Sequence, residues 1–331
     1  MERFALAAAV VLGFALTAAL CSLFVPLRRV LERREQNQQP VQSEQPRPAP
    51  LRAPLWGGLC AAAGTVAAVG VGWLAACVGQ PELLGSEGRL MTRLLTALAG
   101  SLAFGAVGLA EDLARMRSPA ALGLRRDVRL LLEALAAAFV LLLLQAAGCL
   151  PRGLDVPGAG YVLLGSAVPF LWAVLMVALA ECARIAERDE GTVCGAAFVA
   201  MLALMMAEAG LGVPGLAVLP AALAGALVAL LLWAFPPARL GVGCCGSLLA
   251  AGAIGCIPLS LDMTSLTVPL ALPFWAAGGL WAAQLLGAKR TGKPLRCWVK
   301  KHKMSPETVF LCSFALSAVG YVLALALLRW C

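Results

Sequence analysis

Apolar residues occur along this chain in long blocks, without strict alternation. The blocks run approximately Phe4–Val25, Leu55–Val78, Leu94–Ala110, Leu130–Leu150, Gly160–Ala180, Val193–Leu211, Pro214–Phe235, Gly241–Leu261, Thr264–Gly287 and Val309–Leu328. Each is close to the roughly 20 residues needed to span hydrocarbon. In lipid every backbone polar group must find its partner inside its own segment, so blocks of this length predict helices and not barrel strands. The pattern predicts an all-α integral membrane protein with ten transmembrane helices. Pro269 and Pro273 should bend the ninth of them.

The polar residues between the blocks give an orientation. Of the 26 Lys and Arg, 21 fall in the loops after helices 1, 3, 5, 7 and 9, and only Arg3, Arg89, Arg93, Arg152 and Arg329 lie on the other side. Basic loops stay cytoplasmic, which places both termini on the extracytoplasmic side. The opening "MERF" has no basic run, and "TAAL" before Cys21 does not end in a small residue, so the first block reads as a retained helix and not a cleaved signal. Residues 1–331 read as one polytopic membrane domain. The Pro/Gln-rich stretch 28–54 is a flexible cytoplasmic connector within it.

Composition sharpens the picture. The chain is 61% hydrophobic and 13% charged, about half the charge of an ordinary soluble domain, and its mean hydropathy is +0.87. The net charge of +8 sits in the basic loops, so it reflects topology and contact with anionic membrane lipids; no nucleic acid partner is expected. Twelve cysteines include no C-x-x-C pair, which argues against a disulfide framework or a zinc site. They read as small buried hydrophobes, with Cys244 and Cys245 set apart at a loop–helix junction. No internal repeat and no paired broken segments point to a transporter.

The ionisable groups crowd into few places. "FGAVGLAEDLARMRS" brings Glu111 and Asp112 out of the third helix together, and adjacent carboxylates can hold a hard cation through oxygen. "ECARIAERDEG", residues 181–191, carries six charged side chains in eleven positions. Lys289 to Lys303 hold seven Lys and Arg, among them Lys293, Lys300, Lys301 and Lys303, around His302, the one histidine of the chain. Juxtamembrane basic residues attract anionic lipid, at about 1 kcal/mol each. Glu133 and Glu208 lie inside apolar blocks but near enough to an end to reach water.

These stretches, in order, resemble the phospho-N-acetylmuramoyl-pentapeptide transferases, part of a superfamily of polyprenyl-phosphate sugar-phosphate transferases. Gly108, Glu111 and Asp112 match a Gly-x-x-Asp-Asp motif with Glu for the first Asp. Gly123, Leu124, Arg129, Leu130 and Leu131 match a Gly-Leu and Lys-Leu-Leu pair, with Arg for Lys. "RAPLWGGL" is similar to a Pro-Thr-Met-Gly-Gly segment, and "PARLGVGCCGSLL" to a Pro-Ala-Lys-x-Phe-Met-Gly-Asp-x-Gly-Ser-Leu segment, with Cys244 in place of its Asp. "ECARIAERDEG" stands where the family has Asn-x-x-Asn-Leu-x-Asp-Gly-Leu-Asp-Gly, so that Glu187 and Glu190 replace its two Asp residues and Arg184 an Asn. "KKHK" replaces a triple-His motif.

The resemblance implies cytoplasmic active-site loops, Mg²⁺ as cofactor, and transfer of a phospho-sugar from a UDP-sugar to undecaprenyl phosphate, in peptidoglycan precursor synthesis. It implies catalytic roles for Glu111, Asp112, Glu187 and Glu190, and a metal site at Asp112 and Glu111 with Cys244 where a ligand is lost. Substrate-binding roles fall to Arg129, Arg184, Lys293, Lys300, Lys301, His302 and Lys303. Family members often form homodimers, and a bent ninth helix suits their lipid groove. The departures matter physically. A thiol is a poor Mg²⁺ ligand, and each Glu for Asp moves a carboxylate by roughly an ångström, which can cost about 10²-fold in rate. Two readings therefore compete: an active transferase with a rebuilt site, and a catalytically inactive paralogue that binds lipid as a scaffold or regulator of envelope assembly. The lost carboxylate at Cys244 favours the second for chemistry.

Overall fold

A computed structural model describes residues 2–38, 56–79, 88–117, 123–151, 153–156, 160–163, 165, 167–187, 191–211, 215–236, 238–291 and 305–328. The chain is built from helices, in the order α1 (Glu2–Gln38), α2 (Gly57–Gly79), α3 (Gly88–Arg117), α4 (Arg126–Ala146), α5 (Ala167–Ala186), α6 (Thr192–Gly210), α7 (Val218–Ala234) and α8 (Gly243–Ser260). After a 3₁₀ turn come α9 (Thr267–Leu270), α10 (Leu272–Thr291) and α11 (Pro306–Leu328). Among the described residues seven helices are long and apolar enough to cross a membrane, with an eighth if the bent pair is one span. The break falls at the two prolines, where the segment from Thr264 to Leu270 meets Leu272–Ala283 at 63°. Large apolar side chains such as Leu23, Leu142 and Val322 point outward, which water would penalise and lipid tails accept.

The centre of the bundle is α8, of which every residue from Gly243 to Ser260 is buried. It lies against α3 most extensively, with α2, α5 and α6 around it. Its sequence, GCCGSLLAAGAIGCIPLS, explains the position. Lipid supplies no hydrophobic drive between helices, so close van der Waals contact decides association, and small residues let backbones approach. One close approach is at Gly108 of α3, where an added Cβ would collide with the Cys244 carbonyl. Hydroxyls in these helices turn back on their own backbone, as Ser101 Oγ does on the Ala97 carbonyl at 2.7 Å.

The helices do not all keep the bounds that hydropathy predicts; the third, for one, runs from Gly88 to Arg117. The first helix does not stop near Val25 but runs to Gln38, because "LRRVLERREQ" is rich in good helix formers and can continue outside the membrane. Only from residue 39 does the predicted connector 28–54 lie outside the described residues. The fifth helix begins at Ala167 and not near Gly160. Ahead of it Gly153–Val156 and Gly160–Leu163 form an antiparallel hairpin, with Leu154 opposite Val162 and Asp155 opposite Tyr161.

Candidate functional site

Four polar segments far apart in sequence meet at one end of the bundle. They are the last turns of α3, the first turns of α4, the end of α5 with Glu187 beyond it, and the first turn of α8. Backbone bonds hold the neighbouring loop. The N–H of Gly57 donates to the Gly241 carbonyl at 3.2 Å and that of Gly58 to Val242 at 2.9 Å. The "WGGL" and "GVGCCG" stretches are thus pinned side by side. Gly191 opens α6 at φ +74°, a left-handed conformation that favours glycine.

Asp112 is the hinge of the arrangement. It is 1% exposed, its Oδ1 accepts the N–H of Cys244 at 3.0 Å, and its Oδ2 accepts the N–H of Cys245 at 2.9 Å. Helix N-termini leave such amides unpaired and carry partial positive charge, so a carboxylate from α3 caps α8 across space. One helical position away, Glu111 is 2% exposed, and its Oε1 accepts from Arg115 Nη2 at 2.7 Å. The same guanidinium lies 3.9 Å from Asp112 Oδ1 and 3.8 Å from Glu187 Oε2. The Cys244 thiol donates to Glu187 Oε2 at 3.9 Å. Among the three carboxylates around Arg115, Glu187 is the most open, with 13% of its side chain exposed.

A second ion cluster adjoins the first. Arg129 Nε donates to Glu181 Oε1 at 2.8 Å, and its Nη1 is 3.6 Å from Glu111 Oε1. Arg184 Nη2 donates to Glu181 Oε2 at 2.6 Å. Glu133 is fully buried, with Arg129 Nε at 4.0 Å and neither carboxylate oxygen hydrogen-bonded. Water does not reach it, contrary to the sequence expectation: its turn of α4 faces Arg129 and the bundle. Glu208, also expected to reach water, is 1% exposed near the end of α6. The described cluster holds five carboxylates (Glu111, Asp112, Glu133, Glu181, Glu187) against three guanidinium groups (Arg115, Arg129, Arg184).

Of the residues expected to form a site, Glu111, Asp112, Glu187 and Cys244 come together, with Arg129 and Arg184 beside them. Glu190, Lys293, Lys300, Lys301, His302 and Lys303 lie outside the described residues. Glu181, Glu133 and Arg115 belong to the same constellation, although the sequence reading gave none of them a role. The signal was their spacing: Glu111 and Arg115, like Arg129 and Glu133, stand four residues apart on one helix face.

A Mg²⁺ ion at Asp112 and Glu111 can be tested against these contacts. Mg²⁺ demands near-octahedral oxygen donors at about 2.0–2.1 Å. Both Asp112 oxygens are taken by backbone amides, Glu111 Oε1 by Arg115, and the Cys244 thiol brings no oxygen. Only Glu111 Oε2 is free of a hydrogen bond among these donors. Among the described residues no group of three or more His, Cys, Asp or Glu is placed to hold a metal. As arranged, the donor set does not fit Mg²⁺.

The helices mark a multi-pass membrane protein, and a family model gives its class. Residues 94–262, just over half of the chain, match glycosyl transferase family 4, and the chain belongs to that family. Its similarities run to phospho-N-acetylmuramoyl-pentapeptide-transferases. The one from Desulforudis audaxviator is 32% identical over 170 residues, covering 48% of this chain and 50% of that protein. The one from Mycobacterium tuberculosis H37Rv is 28% identical over 265 residues, 72% of each chain. A Synechococcus relative is 30% identical over 212 residues, covering 63% of this chain and 55% of its own. The chain thus spans about half the length of the Desulforudis and Synechococcus relatives.

Proposed function

We propose that this protein is a divergent membrane sugar-phosphate transferase of the phospho-N-acetylmuramoyl-pentapeptide transferase kind. Its substrates are a UDP-sugar and undecaprenyl phosphate or a related polyprenyl phosphate, and its setting is the bacterial cytoplasmic membrane. In this reading ten spans put both termini outside and the polar end at the cytoplasmic face. Twenty-one basic residues in the odd-numbered loops support that orientation. The observation that carries the reading is the meeting of Asp112 with the first turn of α8. It joins two of the stretches that resemble the family's motifs, 132 residues apart.

Phosphoryl transfer needs placement and charge stabilisation more than covalent chemistry. Asp112 fixes the α8 terminus. Glu187 would hold or release a proton at the attacking phosphate; its greater exposure and the thiol on its oxygen support that role. Arg184 and Arg129, with the basic loop containing Lys293, Lys300, Lys301, His302 and Lys303, supply positive charge toward the diphosphate. The test is UMP release from UDP-sugars by the purified full chain in the presence of undecaprenyl phosphate. Release that disappears in Asp112→Asn supports the transferase.

A second reading has its own observation. Both Asp112 oxygens and one of Glu111 are occupied by the protein itself, which suits a catalytically silent paralogue that keeps the lipid site as a scaffold or regulator. Well-folded protein that carries bound polyprenyl phosphate in native mass spectrometry, yet releases no UMP from any UDP-sugar offered, selects this reading.

A further inference from the structure

Arg115 occupies an unusual place for a helix-end arginine. From the last turns of α3 its guanidinium reaches Glu111 at 2.7 Å, Asp112 at 3.9 Å and Glu187 at 3.8 Å. These carboxylates come from two separate segments and are 3%, 1% and 13% exposed in their side chains. A cation gathering three mostly buried carboxylates is the geometry in which a bound metal ion would be found. Here the cation is covalently part of the chain.

We propose that Arg115 is the resident counter-ion of this pocket, standing in place of a divalent metal, so that its carboxylates take up no Mg²⁺. Three physical facts converge on this. A guanidinium is always charged and offers its donors in a fixed planar fork that suits carboxylates. A divalent ion entering among these oxygens would face that positive charge within about 4 Å, where repulsion in a poorly solvated site is strong. Asp112 already accepts the Cys244 and Cys245 amides, which ties its carboxylate to the start of α8 and leaves it less free to turn toward an ion. Arg129, 3.6 Å from Glu111 Oε1, adds a second positive charge on the flank.

The inference goes beyond the transferase reading. It concerns the electrostatics of the pocket, and it stands whether or not phosphoryl transfer takes place. Its experiment reads metal binding, so its failure and an absence of UMP release are separate results. The full chain, purified in detergent, is titrated with Mn²⁺ as a paramagnetic stand-in for Mg²⁺. Binding is followed by electron paramagnetic resonance, and Tm is measured in MgCl₂ and in KCl of equal ionic strength. The wild type is expected to show no saturable Mn²⁺ binding below about 1 mM, the weak end of carboxylate sites for hard cations, and no Tm difference between the salts. Arg115→Ala is expected to gain saturable binding and a Tm rise of roughly 2–4 °C with MgCl₂. Saturable binding to the wild type that Glu111→Gln abolishes overturns the proposal. So does a folded Arg115→Ala that still binds no Mn²⁺. Should Arg115→Ala not fold, Arg115→Gln carries the same expectations, and the wild-type titration decides by itself.

Discussion

The carboxylate of Asp112 straddles the amide of Cys244, one oxygen at 3.0 Å from its nitrogen and the other 2.9 Å from the next nitrogen along. An acid at the end of one helix therefore caps the start of another. Cys244 is thus a backbone donor to Asp112 and a thiol donor to Glu187. The polar end is organised by bonds within the protein.

Asp112→Asn tests the cap. An amide keeps one acceptor but sets an NH₂ against the second backbone N–H and removes the charge that favours a helix N-terminus. Stability should fall by about 1–2 kcal/mol, measured as a lower Tm of the purified protein, with the helical circular dichroism at low temperature unchanged.

Gly108→Ala tests the helix contact beneath it. The new Cβ would press on the Cys244 carbonyl, a backbone atom that cannot turn aside, and overpacking of this kind costs about 1–3 kcal/mol. Gly70→Ala is the matched control, since nothing lies within 4 Å of its Cβ. There the higher helix propensity of Ala should leave Tm equal or raise it. A Gly108→Ala protein as stable as Gly70→Ala would mean that α3 and α8 are not in such close contact.

Glu181→Gln tests the second cluster. Glu181 accepts from both Arg129 and Arg184, so neutralising it takes a charged partner from two mostly buried guanidinium groups, of which Arg129 keeps Glu111 at 3.6 Å. Fully buried pairs broken in this way lose about 3–5 kcal/mol. With 23% of its side chain exposed, Glu181 should lose less, on the order of 2 kcal/mol. A double-mutant cycle of Glu181→Gln with Arg184→Gln should show coupling, whereas Glu181→Gln with Gly70→Ala should be additive.

Glu133→Gln should move stability the other way. Glu133 is fully buried, neither of its oxygens is hydrogen-bonded, and its cluster already has more carboxylates than guanidinium groups. Removing one unsatisfied acid reduces the cost of burying charge, so Tm should hold or rise. A fall as large as that of Glu181→Gln would show that the 4.0 Å approach to Arg129 is a working ion pair.

Much of this protein was legible in the order of its residues. Hydropathy is local and additive along a helix, so the runs from Phe4 to Leu328 announced membrane-spanning helices without any tertiary information. Pro269 and Pro273 announced the bend, and the Gly-x-x-Glu-Asp and Gly-Cys-Cys-Gly stretches announced the family. Adjacent acids such as Glu111 and Asp112 also marked the polar end, because charge is rare in so apolar a chain. What the sequence could not settle is who satisfies whom. Arg129 and Glu181 are 52 positions apart, and Asp112 and Cys245 133, and no periodicity reports on contacts of that range. Only the packing of α3 on α8 decided that the oxygens expected to hold a metal accept backbone amides and an arginine instead. The reason is geometric: a buried carboxylate takes the nearest donors, and the fold brought those of the protein itself within 3 Å.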